Sequence, residues 1–215
     1  GDLPQRDTAL ANAVSNATLA RDENRVICYE ANQARYATLR DTRMGSAKWF
    51  DRFQQHPREL HPSASASVFS YFAARDHNTG SFGGALAHMN LAFESAAQSG
   101  QSLSAVVAAV NTGATYVSLN DHDAALEWLQ RGLDVARPTG WAIALGPCLR
   151  QMGVVMCAMG RMESAQSLLD DALVAYGPFR NSRNFTMVLT ALGDLALARG
   201  DYRRALEHIQ QTAMR

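Results

Sequence analysis

The sequence predicts an all-α protein: a solenoid of about five antiparallel helical hairpins. Three observations carry that expectation. Gly113, Gly153 and Gly193 stand 40 residues apart, and Ala125, Ala165 and Ala205 repeat the same step. Apolar residues around them recur at the three-and-four spacing of one helix face. Breakers fall between the periodic stretches at the same interval, at His56-Pro57 to His61-Pro62, Ser99-Gly100, Pro138-Thr139-Gly140 and Gly177-Pro178. A fixed period of this length marks supersecondary units that bury their apolar faces only by stacking.

Taken along the chain, the first unit covers 24–60 and is faint. Arg43-Met44-Gly45-Ser46-Ala47 echoes Arg161-Met162-Glu163-Ser164-Ala165 in the fourth. The second, 63–100, continues the alanine series backward through Ala85, with Ala73 where a glycine would stand. The third, 102–139, is the clearest: Val106, Val110, Gly113, Ala114 and Val117 form one stripe, Asn120-Asp121 a turn and N-cap, and Ala125, Leu126, Leu129, Leu133 and Ala136 a second stripe. The fourth and fifth, 141–178 and 182–215, repeat it. We take 1–215 as a single repeat domain. Antiparallel helices approach closely only where one offers a small side chain, so the repeated Gly and Ala mark crossings, covered by His122, Met162 and Tyr202.

At this point the residues resemble a known family. Leu192-Gly193, Gly200-Asp201-Tyr202 and Ala205-Leu206 carry the spacing of the tetratricopeptide (TPR) repeat. The resemblance is good over 102–213 and weaker over 28–100, with a period of 40 in place of the family's usual ~34. It implies a right-handed solenoid whose concave groove, lined by the first helix of each unit, holds a protein or peptide ligand. Long units of this kind look like the sensory arms of MalT-like and LuxR-type regulators, the arrays preceding diguanylate cyclases, and peptide-responsive quorum regulators.

Counting from the aligned glycines, the resemblance places Tyr29, Asn32, Gln33, Tyr36 and Arg40 on the groove, then Ser70, Tyr71 and His77, then Asn111, Arg150, Gln151 and Asp194. Aromatic rings offer area at low entropy cost, amides pair with peptide backbone, and Arg40 and Arg150 can hold a carboxylate. The lysine-and-asparagine clamp of chaperone-binding members is not reproduced.

Composition supports a binding module. Hydrophobic residues make up 47% and charged residues 19%, a globular balance, and twenty basic side chains cancel twenty acidic ones. Nothing pulls this segment toward nucleic acid or an anionic membrane. Lys48 is the one lysine among many arginines, which reads as bacterial coding bias. Cys28, Cys148 and Cys157 form no C-x-x-C pair and read as reduced thiols of a cytoplasmic protein. No run approaches the ~18 apolar residues of a membrane span.

Candidate chemistry is sparse. His56 and His61 flank Glu59 beside prolines, without the i, i+4 spacing of a helical zinc site, so no metal or cofactor is expected. There is no nucleophile elbow, phosphate loop or H-E-x-x-H. Asp170 and Asp171 point apart on a helix. Met152, Met156, Met159 and Met162 read as core filling ahead of an adaptable surface. The expectation is a non-catalytic ligand-sensing module in a longer signalling protein, with a homodimer through uncapped end helices as a further expectation. The alternative is a passive scaffold.

Overall fold

The computed structural model describes residues 3–40, 49–54 and 59–213, and among these every regular element is helical. The order is α1 (Leu3–Leu19), α2 (Glu23–Arg40), α3 (49–54), α4 (Pro62–Asn78), α5 (Phe82–Gln98), α6 (Ser102–Ser118), α7 (His122–Ala136), α8 (Ala142–Ala158), α9 (Met162–Ala175), α10 (Arg183–Ala198) and α11 (Tyr202–Ala213). The echo over Arg43–Ala47, and His56 with Pro57, lie outside the described residues.

The chain forms two compact units, Gly1–Ala108 and Ala109–Arg215, and the boundary falls inside α6. Each is made of the same hairpin, an A helix followed by a B helix. The even-numbered helices from α2 onward are A helices. The B helices α5, α7, α9 and α11 begin at Phe82, His122, Met162 and Tyr202, 40 residues apart. Helix α1, which the repeat pattern does not announce, begins at Leu3, within a residue of two such steps before Phe82. It is a B helix standing alone at the head of the first unit.

One turn joins A to B in four hairpins of the described residues. Gly80, Asn120, Gly160 and Gly200 take left-handed φ values of 79°, 60°, 75° and 75°. In each turn the next N–H reaches back to the carbonyl five residues earlier: Ser81 to Asp76 (2.8 Å), Asp121 to Tyr116 (2.9 Å), Arg161 to Met156 (2.9 Å), Asp201 to Ala196 (2.8 Å). This closure satisfies the last carbonyls of the A helix and reverses the chain. Asp121 and Asp201 then accept from Ala124 N and Arg204 N at 3.1 Å, capping the B helix.

The small residues sit where the helices cross. A Cβ on Gly113 would lie 2.8 Å from Leu129 Cγ and 3.3 Å from Ala125 O; on Gly153, 2.7 Å from Leu169 Cγ and 3.3 Å from Ala165 O. These are the same crossing, 40 residues apart. The third copy is looser: at Gly193 the nearest atoms are His208 Cβ at 3.7 Å and Ala205 O at 3.9 Å. Ile209, the counterpart of Leu129 and Leu169, is half exposed there.

Two details correct the expectation. Tyr202 covers no crossing, being 73% exposed, because no further helix follows α11 among the described residues. Trp141, which flanks the Pro138 turn and from the sequence should fasten two repeats together, is instead exposed. The methionines behave as core: Met152 and Met159 pack on Leu129 and Val155, and Met156 and Met162 on the Leu169–Leu195 cluster. In the first unit a polar lock ties α4 to α5. Buried Asp76 meets His88 Nδ1 at 2.8 Å and Arg75 at 3.4 Å, and a Cβ on Gly84 would strike its carboxylate.

Candidate ligand-binding cleft

In the first unit the A helices present one face to an open cleft of 520 Å³. Helix α2 contributes Arg25, Tyr29, Asn32, Arg35 and Tyr36, α4 contributes Ser63, Ser67 and Ser70, and the start of α6 adds Leu103 and Val107. Their three-and-four spacing is why they share a face. Serine and alanine on α4 leave room between bulkier neighbours. Cys28 and Gln101 complete the floor, donating to Ser63 O at 3.3 and 3.4 Å.

The cleft is polar, and no acidic side chain among the described residues lines it. Asn32 Nδ2 donates to Cys28 O at 2.9 Å, leaving its carbonyl oxygen to accept from Arg35 at 3.4 Å. Two guanidinium groups lie over the Tyr36 ring, Arg6 at 3.9 Å and Arg35 at 4.8 Å from its centre. Arg35 Nε is buried without a hydrogen-bond partner. Arg25 is already engaged by Asp22 at 3.2 Å. Burial pushes the Cys28 thiol pKa up, partly opposed by Ser67 and Ser63, so this sulfur is not an activated nucleophile. The same holds for Cys148, pushed up to about 12 by burial alone, and for Cys157, raised by burial and by Asp194. The arrangement suits holding an extended, hydrogen-bonding ligand against aromatic rings.

Of the residues singled out from sequence, Asn32 and Tyr36 line this cleft together, with Tyr29 and Ser70 beside them. Arg40 does not; it bonds Asp7 of α1 at 2.6 Å. Tyr71 is fully buried, edge-on to Phe53 at 5.7 Å, and belongs to the core. His77 is exposed against Phe82. In the second unit Asn111 on α6 and Asp194 on α10 are exposed, Gln151 on α8 is buried, and Arg150 is half-buried. Sequence reasoning missed Arg25, Arg35, Ser63 and Ser67. The run of serines at helical spacing from Ser63 to Ser70 was the signal available.

The fold and the cleft together define a helical-repeat protein of the TPR-like class, with an A-helix face open to solvent. No protein-family model and no curated protein sequence matches the chain. Solved structures match its fold. BtubC (BKLC) from P. vanneervenii superposes with a TM-score of 0.70 at 15% identity, covering 100% of this chain and 91% of that one. A putative kinesin light chain of nearly identical TPR-like repeats from Podosopora anserina gives 0.63 at 15% identity, covering 88% and 93%. A variant of it gives 0.65, covering 88% and 92%. Among the described residues no helix is long and apolar enough to cross a membrane, and no group of His, Cys, Asp and Glu is placed to hold a metal.

Proposed function

We propose that the chain is a non-catalytic protein- or peptide-binding module whose seat is the cleft on α2, α4 and α6. The observation that carries this reading is the cleft itself: Tyr29, Tyr36, Asn32 and Arg35 converge on it, with no acid among the described residues lining it. Rigid aromatic rings beside amide and guanidinium donors suit an extended backbone bearing carbonyl or carboxylate groups. Asn111 and Asp194 are additional polar positions on A helices of the second unit. Within a cell the module serves as the regulatory part of a cytoplasmic bacterial signalling protein of LuxR/MalT type or attached to a diguanylate cyclase. A ligand that binds one conformation better than another biases the attached output. A peptide-responsive quorum regulator uses the same device, whereas a passive scaffold has no such preference.

A randomised peptide display selection on the purified chain tests this, with selected peptides re-measured by fluorescence anisotropy. Tyr29→Ala and Tyr36→Ala should each weaken binding by about tenfold or more, since truncating an aromatic anchor commonly costs over 1 kcal/mol. Peptides that bind both variants as tightly as the parent would place the seat elsewhere.

A further inference from the structure

A second concavity lies in the second unit, where the N-terminal ends of α8 and α10 frame a cavity of 480 Å³. Trp141, Ile143 and Phe179 form its walls, and Tyr176 its buried base. The three wall residues remain 58%, 50% and 55% exposed. Large apolar side chains gathered around one hollow, and this volume, are features of small-ligand sites. Among the described residues no acidic side chain lines the hollow.

An independent observation concerns charge. Ile143, Pro147 and Arg150 fall on one face of α8 at i, i+4 and i+7, which sets Arg150 about 10 Å along the axis from Ile143. Arg150 is half-buried and makes no ion pair among the described residues. Burial lowers its pKa, and the Tyr176 hydroxyl beside it is itself buried without a hydrogen-bond partner. Asp194 is exposed and acts on Cys157, two turns beyond Arg150. Arg183, exposed at the start of α10, adds a second positive charge next to Asn184 on the rim. A partly desolvated guanidinium without a counter-charge favours an incoming anion.

The repeat itself does not require these residues. One and two periods before Arg150 stand Val110 and Ser70, one period after it stands Thr190, and one period before Trp141 stands Gln101. Packing is satisfied without the guanidinium or the indole, so both are peculiar to this place.

We propose that this hollow is a binding site for a small amphipathic organic anion, an aryl or medium-chain carboxylate. Its apolar body lies against Trp141, Ile143 and Phe179, and its carboxylate meets Arg150. The site is separate from the peptide cleft of the first unit.

The test is calorimetric titration of the whole chain with sodium decanoate below its micelle concentration, beside n-decanol as the uncharged match. We expect saturable binding of one decanoate per chain, at least about tenfold tighter than decanol, the size of effect expected for one charge-assisted hydrogen-bonded pair. Ile143→Asp, at an exposed position, should remove binding, and Arg150→Gln should weaken decanoate by a similar factor while leaving decanol unchanged. Equal affinity for the two compounds in the parent protein overturns the proposal without any variant. Non-saturating uptake, or decanoate binding indifferent to Ile143→Asp, also overturns it. Tyr29→Ala should leave decanoate binding intact, so this site and the peptide seat fail or survive separately.

Discussion

Single residues decide the geometry of each hairpin, and the glycines divide into two kinds. Gly160 is needed for its backbone: φ of 75° there is a conformation that a side chain opposes by about 1–2 kcal/mol. We expect Gly160→Ala to lower stability by about 1 kcal/mol in urea denaturation, after the offsetting loss of unfolded-state freedom. Gly153 is needed for its lack of a Cβ, since Leu169 and a backbone oxygen of Ala165 occupy that space. Gly153→Ala should cost about 1–3 kcal/mol by overpacking, whereas Gly193→Ala, with 3.7 Å of room, should gain up to about 1 kcal/mol from helix propensity. If the two alanine variants melt alike, the crossing at Gly193 is as tight as the one at Gly153 and this reading of the two glycines fails. The repeated glycines were readable from spacing alone. The difference at Gly193 was not, because it depends on Ile209, which stays half exposed where Leu129 and Leu169 are fully covered. Tyr71 misled for a related reason: a tyrosine on an A helix suits the groove or the core equally, and only the position of Phe53 and Phe72 settles which.

Elements were readable to the extent that they carried the period. Helices α4 to α11 follow the expected units closely, since their breakers and apolar stripes agree. Helix α1 escaped notice because it buries little; Ala17 is its one fully covered side chain among those described, and its ties to α2 are polar, through Arg6 on Tyr36 and Asp7 on Arg40. The α8–α9 hairpin has a different hidden feature. Gly146 lies directly under the Tyr176 ring, so any side chain there would displace the ring. Nearby, burial pushes both the Cys148 thiol and the Tyr176 phenol up to about 12 from ordinary values of 9.0 and 10.0. Both groups stay protonated longer in the folded state than in the unfolded one. Their contribution is therefore fully present below pH 9 and is lost as pH rises toward 12. Between about pH 9 and 12 for Cys148, and between about pH 10 and 12 for Tyr176, each group should add a slope of about 1.4 kcal/mol of stability lost per pH unit. Urea midpoints measured from pH 8 to 11 should fall steeply, and Cys148→Ala should flatten the fall whatever it does to the level. A parent protein with the same midpoint at pH 8 and 11 would contradict the burial of both groups.

At the scale of the molecule, the regular 40-residue step runs through the chain without a mark where one compact unit gives way to the next. The division falls within α6, a continuous helix, so no loop, proline or change of composition announces it. In repeat arrays each hairpin's stability comes from itself and its immediate neighbours, and the second unit holds two core clusters of its own, one of Ala125, Leu129 and Val155 and one from Ala165 through Leu195. It follows that a fragment starting at Ser102, so that α6 is kept whole, and ending at Ala213 should fold without the first unit. Its circular dichroism should be helical and should melt in one cooperative transition. Its urea dependence should be about half as steep as that of a chain of twice the size unfolding at once, because that steepness follows the surface exposed. Leu206, Ile209 and Tyr202 already face solvent in the full chain, so that end loses nothing in the fragment. The cut at Ser102 instead uncovers the start of α6 around Ala105 and Val106, and loss of stability should concentrate there. Hydrogen exchange would resolve this: amides of α8 to α10 protected nearly as in the full chain, with fast exchange confined to the first turns of α6. A fragment that is helical but exchanges everywhere and melts without cooperativity would mean that these two core clusters do not stand by themselves.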